Sequence, residues 1–203
     1  MTELRRRVVR PETRFEDQIE GMLNAMTAIQ VSNITYVACP ITGGYRHLEW
    51  RRSSEKTRDE ASHRSHVISP NVSQAGVFCG EVSSVTGKTC INPAVLFRPS
   101  WNQDDYRNFW SRVIEKFATD MYLSEGWEVS VGCLFECLLA IQLNIPIYNC
   151  EMRRLGYQQA IELAIDGAKA LNSIGDGSAF LSVLVDQFNK LRGSECRDET
   201  AQR

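Results

Sequence analysis

The chain has 203 residues, of which 43% are hydrophobic and 24% are charged, and its formal net charge is −2 at pH 7. This composition supports a sizeable core and excludes wholesale disorder. The near-neutral charge gives no electrostatic basis for a nucleic-acid polymer as the main partner. No stretch approaches the ~20 apolar residues of a membrane-spanning helix, so we expect no membrane partner either.

Cysteine usage indicates the cellular compartment. The chain has seven cysteines, an odd number, and no Cys-x-x-Cys pair. Most of them are flanked by apolar residues, which is typical of buried thiols in a reducing cytosol. The first residues are basic with no apolar segment behind them, which does not fit a signal peptide. We therefore expect a cytoplasmic protein.

The N-terminal part of the chain predicts a helix, a strand and a glycine-rich loop. Residues 1–12 are basic and are predicted to be flexible. Residues 13–30 carry apolar side chains at helical spacing and predict an amphipathic helix. Residues 33–39, NITYVAC, are β-branched and aromatic and predict the first core strand. The following residues 40–46, PITGGYR, form an ordinary turn or a loop whose glycines let the backbone approach a ligand closely.

Residues 47–68 are polar and rich in arginine, and they predict an insertion. One interpretation is a mobile, solvated segment. The other is a lid that brings arginine or histidine to an anionic substrate. His63 and His66 form an H-x-x-H pair, but no third metal ligand lies nearby in the sequence, so we predict no metal site.

The middle of the chain predicts two helices on either side of a strand. Residues 69–85 have an apolar pattern that favours a helix, and residues 89–92 predict a strand that ends at Asn-Pro-Ala. Residues 102–117 predict an amphipathic helix, with Asn102 as the N-cap and acidic residues in the first turn. Its apolar stripe indicates core packing.

The remaining elements are organised around residues 118–150. They predict a short strand at 121–123, a loop, a helix at 133–144 and a buried strand at 145–148. Strand, loop, helix and strand together form the repeating unit of an open parallel sheet. Ligands in such sheets bind at the carboxyl ends of the strands. Glu136, in the predicted helix, lies among apolar residues and a carboxylate there requires a partner.

The fold class predicted is α/β, with an open Rossmann- or flavodoxin-like, mostly parallel sheet flanked by helices. Residues 13–150 form the predicted α/β domain. Residues 151–192 are predicted to be a C-terminal helical extension, with helices at about 155–172 and 178–192 separated by Gly-Asp-Gly. Residues 193–203 are predicted to be a flexible tail.

Several short motifs carry a resemblance to a known family. They are, in chain order, Cys39-Pro40-Ile41-Thr42-Gly43, Asn92-Pro93-Ala94, Asp120, Leu123, Gly126-Trp127, Ser130, Gly132 and Glu136. The sequence resembles the nucleoside 2-deoxyribosyltransferase-like superfamily over residues 33–148. It looks most like a compact branch of small proteins, mostly from phages and bacteria. It departs from the branch pattern at Cys39 and Cys133, where smaller residues are usual, and in the long segment 47–68.

The resemblance implies chemistry at a sugar carbon. In the family, a glutamate on a helix attacks C1′ of a nucleoside or nucleotide, the base leaves, and another base or water resolves the glycosyl-enzyme. Glu136 matches that glutamate, with a helix carboxylate that reaches solvent or pairs with an arginine as the alternative. Carboxylates are established nucleophiles at such carbons. A nearby helix start favours the ionised form, whereas burial opposes it. The mechanism needs no metal or redox cofactor.

The resemblance also implies roles for other residues. Asp120 matches an acidic residue near the sugar and base, with a loop cap as the alternative. Ser130 and Gly132 would present a hydroxyl and backbone N–H groups to a 5′-phosphate or 5′-hydroxyl, with simple helix capping as the alternative. The other candidates for substrate binding are Thr42, Gly43, Gly44, Arg46, Asn92 and Trp127. Trp127 either stacks on the base or packs in the core, and Arg46 favours a phosphorylated substrate.

Three hypotheses for function follow. The first is a hydrolase or transferase acting on the N-glycosidic bond of a nucleoside or its 5′-monophosphate. The second is a non-catalytic module of the same fold that binds a nucleotide. The third is a subunit whose site is completed by a partner chain, because related enzymes build their sites across dimers. We expect a homodimer or a higher homo-oligomer.

Overall fold

A computed structural model describes residues 11–28, 33–53 and 58–200. The chain divides into two units, residues 1–32 and residues 33–203. The first unit contributes helix α1 (Pro11–Ala28), which confirms the predicted helix up to Ala28. The last two residues of that prediction lie outside the described part, as do residues 1–10 of the predicted flexible N-terminus.

The second unit is built on one five-stranded sheet. Its strands are β1 (Ile34–Ala38), β2 (Cys90–Ile91), β3 (Ala118–Leu123), β4 (Ile147–Tyr148) and β5 (Arg154–Leu155). Their order is β2-β1-β3-β4-β5. The first four strands are parallel, and β5 runs antiparallel to β4. The prediction of an α/β fold with an open, mostly parallel sheet is confirmed, and the topology is consistent with the Rossmann-like class.

The described residues of this unit also form seven α-helices. They are α2 (Tyr45–Arg52), α3 (Glu60–His63), α4 (Ser69–Thr86), α5 (Gln103–Phe117), α6 (Val131–Gln142), α7 (Tyr157–Ser173) and α8 (Ala179–Thr200). A π-helical stretch, Arg64–Ile68, joins α3 to α4. Asn102 caps α5 as predicted, since its side chain accepts hydrogen bonds from the N–H groups of Asp104 and Asp105. None of the described helices has both the length and the apolar content needed to cross a membrane.

The two faces of the sheet contact different helices. Side chains alternate along a strand, so Tyr36 and Met121 belong to the larger core with α5, α6, α7 and α8. Val37 and Tyr122 lie on the opposite face and belong to a smaller core with α4. The two faces therefore offer separate environments, and α6 lies on the face of Tyr36.

Residues 47–68 are mostly helical instead of forming a loose insertion. They contain most of α2, all of α3 and the π-helical stretch that leads into α4, whereas residues 54–57 lie outside the described part. Leu48 and Val67 are buried. The charged composition that suggests a solvated segment belongs to the outer surfaces of short helices, which bury few side chains each.

A cluster of polar side chains ties these short helices to the turn between α7 and α8. His47 Nε2 contacts the carboxylate of Asp176, and His47 Nδ1 lies 3.1 Å from His63 Nε2. Arg51 Nε pairs with Asp176 at 3.0 Å. The Trp50 ring packs against His63 with centroids 4.6 Å apart. The pKa of His63 is lowered mainly by burial and further by the nearby His47.

The C-terminal helices are part of the main core and not an appendage to it. Ile161 on α7 and Leu181 on α8 are fully buried in the larger core. Gly167 of α7 contacts the turn before α6 so closely that a Cβ there would lie 1.9 Å from the carbonyl oxygen of Glu128. Helix α8 continues to Thr200, through residues that the sequence pattern assigns to a flexible tail.

Candidate functional site

Glu136 lies on α6 with its carboxyl group buried against the sheet. It keeps 9% exposure. The hydroxyl of Tyr36, from the middle of β1, donates a hydrogen bond of 2.7 Å to Glu136 Oε1. The other oxygen, Oε2, has no hydrogen-bond partner among the described residues and is not fully enclosed. One oxygen is therefore held by the protein, and the other has no protein partner among the described residues.

The surroundings of Glu136 favour its protonated form. Burial raises the pKa of its carboxyl group to about 8, and the hydrogen bond from Tyr36 opposes this shift. Burial and the adjacent Glu136 raise the pKa of Tyr36 well above its ordinary value. Burial also raises the pKa of the nearby Cys133 thiol. Tyr36 thus keeps its proton and remains the donor to Glu136 over the physiological pH range.

The loop after β1 lies against the start of α6. A Cβ on Gly43 would lie 3.1 Å from Ser130 Cα, so a side chain there would crowd this contact. Gly44 has φ +83° and ψ −176°, a conformation that is essentially restricted to glycine. Its N–H donates to the carbonyl of Val129. Thr42 is exposed at the outer side of the loop.

The N-terminus of α6 faces the same region. Ser130 occupies the N-cap position, but its side chain accepts no capping hydrogen bond. Gly132 is exposed, and a Cβ there would have no atom within 4 Å. The Ser130 side chain therefore does not cap the helix, which was the alternative to a role in ligand binding. The first-turn N–H groups of a helix lack partners within the helix and favour anions.

A cleft opens beside the glycine loop. Its volume is about 230 Å³, and its lining includes Pro40, Gly44, Arg46, Asn71, Gln74 and Glu125. Pro40 follows β1 and Glu125 follows β3, so the cleft lies at the carboxyl ends of these two strands. From β1 the chain passes to β2 on one side, while β3 lies on the other side. This is the topological switch point at which open α/β sheets bind ligands.

Asp120 lies on the other face of the sheet from Glu136, which corrects its predicted place in the site. The hydroxyl of Thr35 donates to Asp120 Oδ1 at 2.5 Å, and Lys88 pairs with the other oxygen. Asp120 is in register with Thr35, and the next residue, Tyr36, points to the opposite face. The buried carboxylate of Asp120 thus pairs with a partly exposed lysine and does not approach Glu136.

Two further candidates have structural roles. Trp127 is buried at 5% exposure in the larger core, so the packing alternative holds and its ring is not free to stack on a base. Asn92 accepts a hydrogen bond from the N–H of Ala94 and caps the turn after β2. The glycine loop contacts Ser130 at the start of the helix that carries Glu136, whereas the side chains of Asp120 and Trp127 are held elsewhere.

Tyr36, Asn71 and Gln74 are not among the site residues predicted from the sequence. Asn71 and Gln74 both bond to Arg46. For Tyr36 a signal exists, since an acid buried on an apolar helix needs a donor and the first core strand contains one hydroxyl-bearing ring. For the two amides no signal exists, because they are three residues apart on α4 and resemble ordinary surface positions.

No group of three or more His, Cys, Asp or Glu side chains is placed to hold a metal ion in the described part of the chain. Comparison with models of protein families, with curated proteins and with solved structures gave no match.

Proposed function

We propose that this protein cleaves the N-glycosidic bond of a nucleoside or nucleoside 5′-monophosphate, with Glu136 as the nucleophile at C1′. The observation that carries the proposal is the buried Glu136 carboxyl group, held through Oε1 by Tyr36 and without a hydrogen-bond partner at Oε2 among the described residues. The resemblance of residues 33–148 to the nucleoside 2-deoxyribosyltransferase-like superfamily supplies the substrate class.

The proposed reaction has two steps. Oε2 of Glu136 forms a bond to C1′ while the bond from C1′ to the base nitrogen breaks, and its electron pair leaves with the base, which takes up a proton. Water, giving hydrolysis, or a second base, giving transfer, then attacks C1′. The bond from C1′ to Oε2 breaks, its electron pair returns to the Glu136 carboxylate, and the attacking group loses a proton to solvent. The hydrogen bond from Tyr36 orients the carboxylate and favours its ionised form.

The raised pKa of Glu136 supports a second candidate function. With a pKa of about 8, the carboxyl group of the free protein is mostly protonated at neutral pH. A protonated carboxyl group donates a hydrogen bond and is a poor nucleophile. In this case the fold binds a nucleotide without turning it over.

Base release tests the two candidates. Purified protein is incubated with ribo- and deoxyribonucleosides and their 5′-monophosphates, with and without a second free base, and released base is measured by chromatography. E136Q should abolish release, whereas E81Q, on an exposed part of α4, should leave it unchanged. A requirement for the second base identifies a transferase.

Equal melting-temperature shifts with ligand in the wild type and E136Q, without release in either, would overturn the catalytic proposal and leave nucleotide binding.

A further inference from the structure

Arg46 is held in a fixed orientation by neutral side chains. Its Nη1 donates to Asn71 Oδ1 at 3.0 Å and to Gln74 Oε1 at 2.5 Å. The Asn71 amide is fixed in turn, because its Nδ2 donates to the carbonyls of Ile41 and Gly43 at 3.0 and 2.9 Å. The guanidinium, helix α4 and the glycine loop therefore form one hydrogen-bonded unit.

The other edge of the guanidinium remains available. Nε and Nη2 of Arg46 make no hydrogen bond or ion pair with the described residues, and neither atom is fully enclosed. This edge presents parallel N–H groups that match two oxygens of a carboxylate or phosphate. Since the Nη1 bonds already fix the side chain, a bidentate ligand meets a preorganised donor pair.

Arg46 forms no ion pair with the described residues, although Glu49 and Glu125 line the same cleft. Its partners are amides, and no carboxylate among the described residues lies within 4.0 Å of it. Arg51, on the same helix, pairs with Asp176. A half-buried cation without a carboxylate partner favours an anionic ligand.

The cleft is large enough for part of a ligand. Its volume of about 230 Å³ lies below the ~300–1,000 Å³ of sites that enclose a whole small molecule. A single substituent such as a phosphate group fits this space better than a complete nucleoside. The loop that lines the cleft through Gly44 also contacts Ser130, directly before the helix of Glu136.

We propose that Arg46, oriented by Asn71 and Gln74, binds the phosphate monoester of a nucleoside 5′-monophosphate whose sugar reaches Glu136. The identity of the ligand rests on the proposed function, whereas the oxyanion site itself rests on Arg46 and its partners. Glu49 and Glu125 line the same cleft with exposed side chains, and their charges oppose an anion. A glutamine variant at either position should therefore bind an anion more tightly than the wild type does. If the cleft held a cationic ligand, the same variants would bind that ligand more weakly.

The first experiment titrates inorganic phosphate into the full-length protein and follows binding by ³¹P NMR. R46K keeps the positive charge but loses the planar pair of N–H donors of the guanidinium, so we expect it to bind phosphate roughly tenfold more weakly. R98K, an exposed control, should match the wild type. E49Q and E125Q should bind about twofold more tightly, as expected for screened charges. Absence of saturable binding, equal binding by R46K, or weaker binding by both glutamine variants would overturn the oxyanion site.

The second experiment compares KM for a nucleoside with KM for its 5′-monophosphate. R46K should raise KM for the monophosphate roughly tenfold and leave KM for the nucleoside unchanged, because only the phosphate contacts Arg46. Equal effects on both substrates would overturn the assignment of the phosphate. If phosphate binds through Arg46 and no base is ever released, the proposed function fails while the oxyanion site stands.

Discussion

Burial and one hydrogen bond act in opposite directions on the carboxyl group of Glu136. Burial raises its pKa to about 8 from an ordinary value of 4.5, and the hydrogen bond from Tyr36 lowers it. A nucleophile must be ionised, so the fraction of active protein grows as the pH rises toward 8. The residue therefore combines an environment that disfavours the anion with a donor that stabilises it.

The pH profile of kcat/KM tests this balance. We expect kcat/KM to rise up to an apparent pKa near 8. Y36F removes the hydrogen bond that lowers the Glu136 pKa, so its profile should move to higher pH, with a loss of ~10- to 100-fold at pH 7. Steady-state kinetics are measured across this pH range. Circular dichroism at each pH checks that the protein remains folded. A profile that falls over the same range would assign Glu136 as a proton donor instead.

Asp120 provides a second test at the residue scale. Its hydrogen bond from Thr35 and its ion pair with Lys88 predict a structural contribution. Because solvent screens the side chain of Lys88, which is 40% exposed, D120N should lower the free energy of unfolding by only about 1 kcal/mol. The value of kcat/KM, measured below the melting transition, should remain within about twofold of the wild type. A loss of more than ~100-fold in kcat/KM in a folded D120N protein would show that Asp120 takes part in the reaction.

At the scale of elements, Gly167 determines how closely α7 approaches the turn before α6. A Cβ at this position would lie 1.9 Å from a backbone oxygen, so the helix or the turn must move. The turn leads directly into Ser130 and α6. Packing between two elements thus sets the position of the helix that carries Glu136.

G167A is expected to destabilise the protein by about 3 kcal/mol or more, at the upper end of overpacking costs. G76A serves as a matched control, since Gly76 is an exposed residue of α4 with no atom within 4 Å of an added Cβ. It should stabilise the protein by about 0.5–1 kcal/mol, as alanine does in a helix interior. Chemical denaturation of both variants provides the comparison. Equal stabilities would show that α7 does not depend on this contact.

The helices and strands with strong local patterns are predictable from the sequence. Periodicity and capping place α4 and α5 within one or two residues, and β-branched residues locate β1. The two-residue β5 and the short helix α2 lack such signals. Their formation depends on pairing with β4 and on burial of Leu48, which are long-range effects.

The candidate site is only partly predictable for the same reason. Glu136 and the glycine loop are evident because a buried acid and paired glycines are locally unusual. The position of Asp120 depends on which face of β3 its side chain occupies, and this follows from the register with β1. The partners of Arg46 come from α4, about one turn apart, and only the folded chain brings them together.

At the scale of the whole molecule, the cluster of His47, His63 and Asp176 joins segments that are far apart in the sequence. The pKa of His63 is lowered by burial and by His47, so the folded protein takes up this proton less readily than the unfolded chain. The stability that depends on neutral His63 is present above its ordinary pKa of 6.5 and is lost as the pH falls through the lower folded value.

H63Q should therefore lose less stability than the wild type on acidification below about pH 6.5. H66Q, a neighbouring and exposed histidine, should retain the wild-type dependence. Melting temperatures across this pH range give the comparison. The same pH dependence in H63Q and H66Q would contradict the role of the cluster.

The most direct test of the central claim is to trap the sugar on the protein. A 2-deoxy-2-fluoro nucleoside destabilises the oxocarbenium-like transition state and allows a glycosyl-enzyme to accumulate. After a short incubation, intact mass and peptide mass spectrometry locate the adduct. One sugar should be attached to the peptide that contains Glu136, and none should be attached in E136Q. Base release without an adduct, or an adduct at another residue, would contradict the claim.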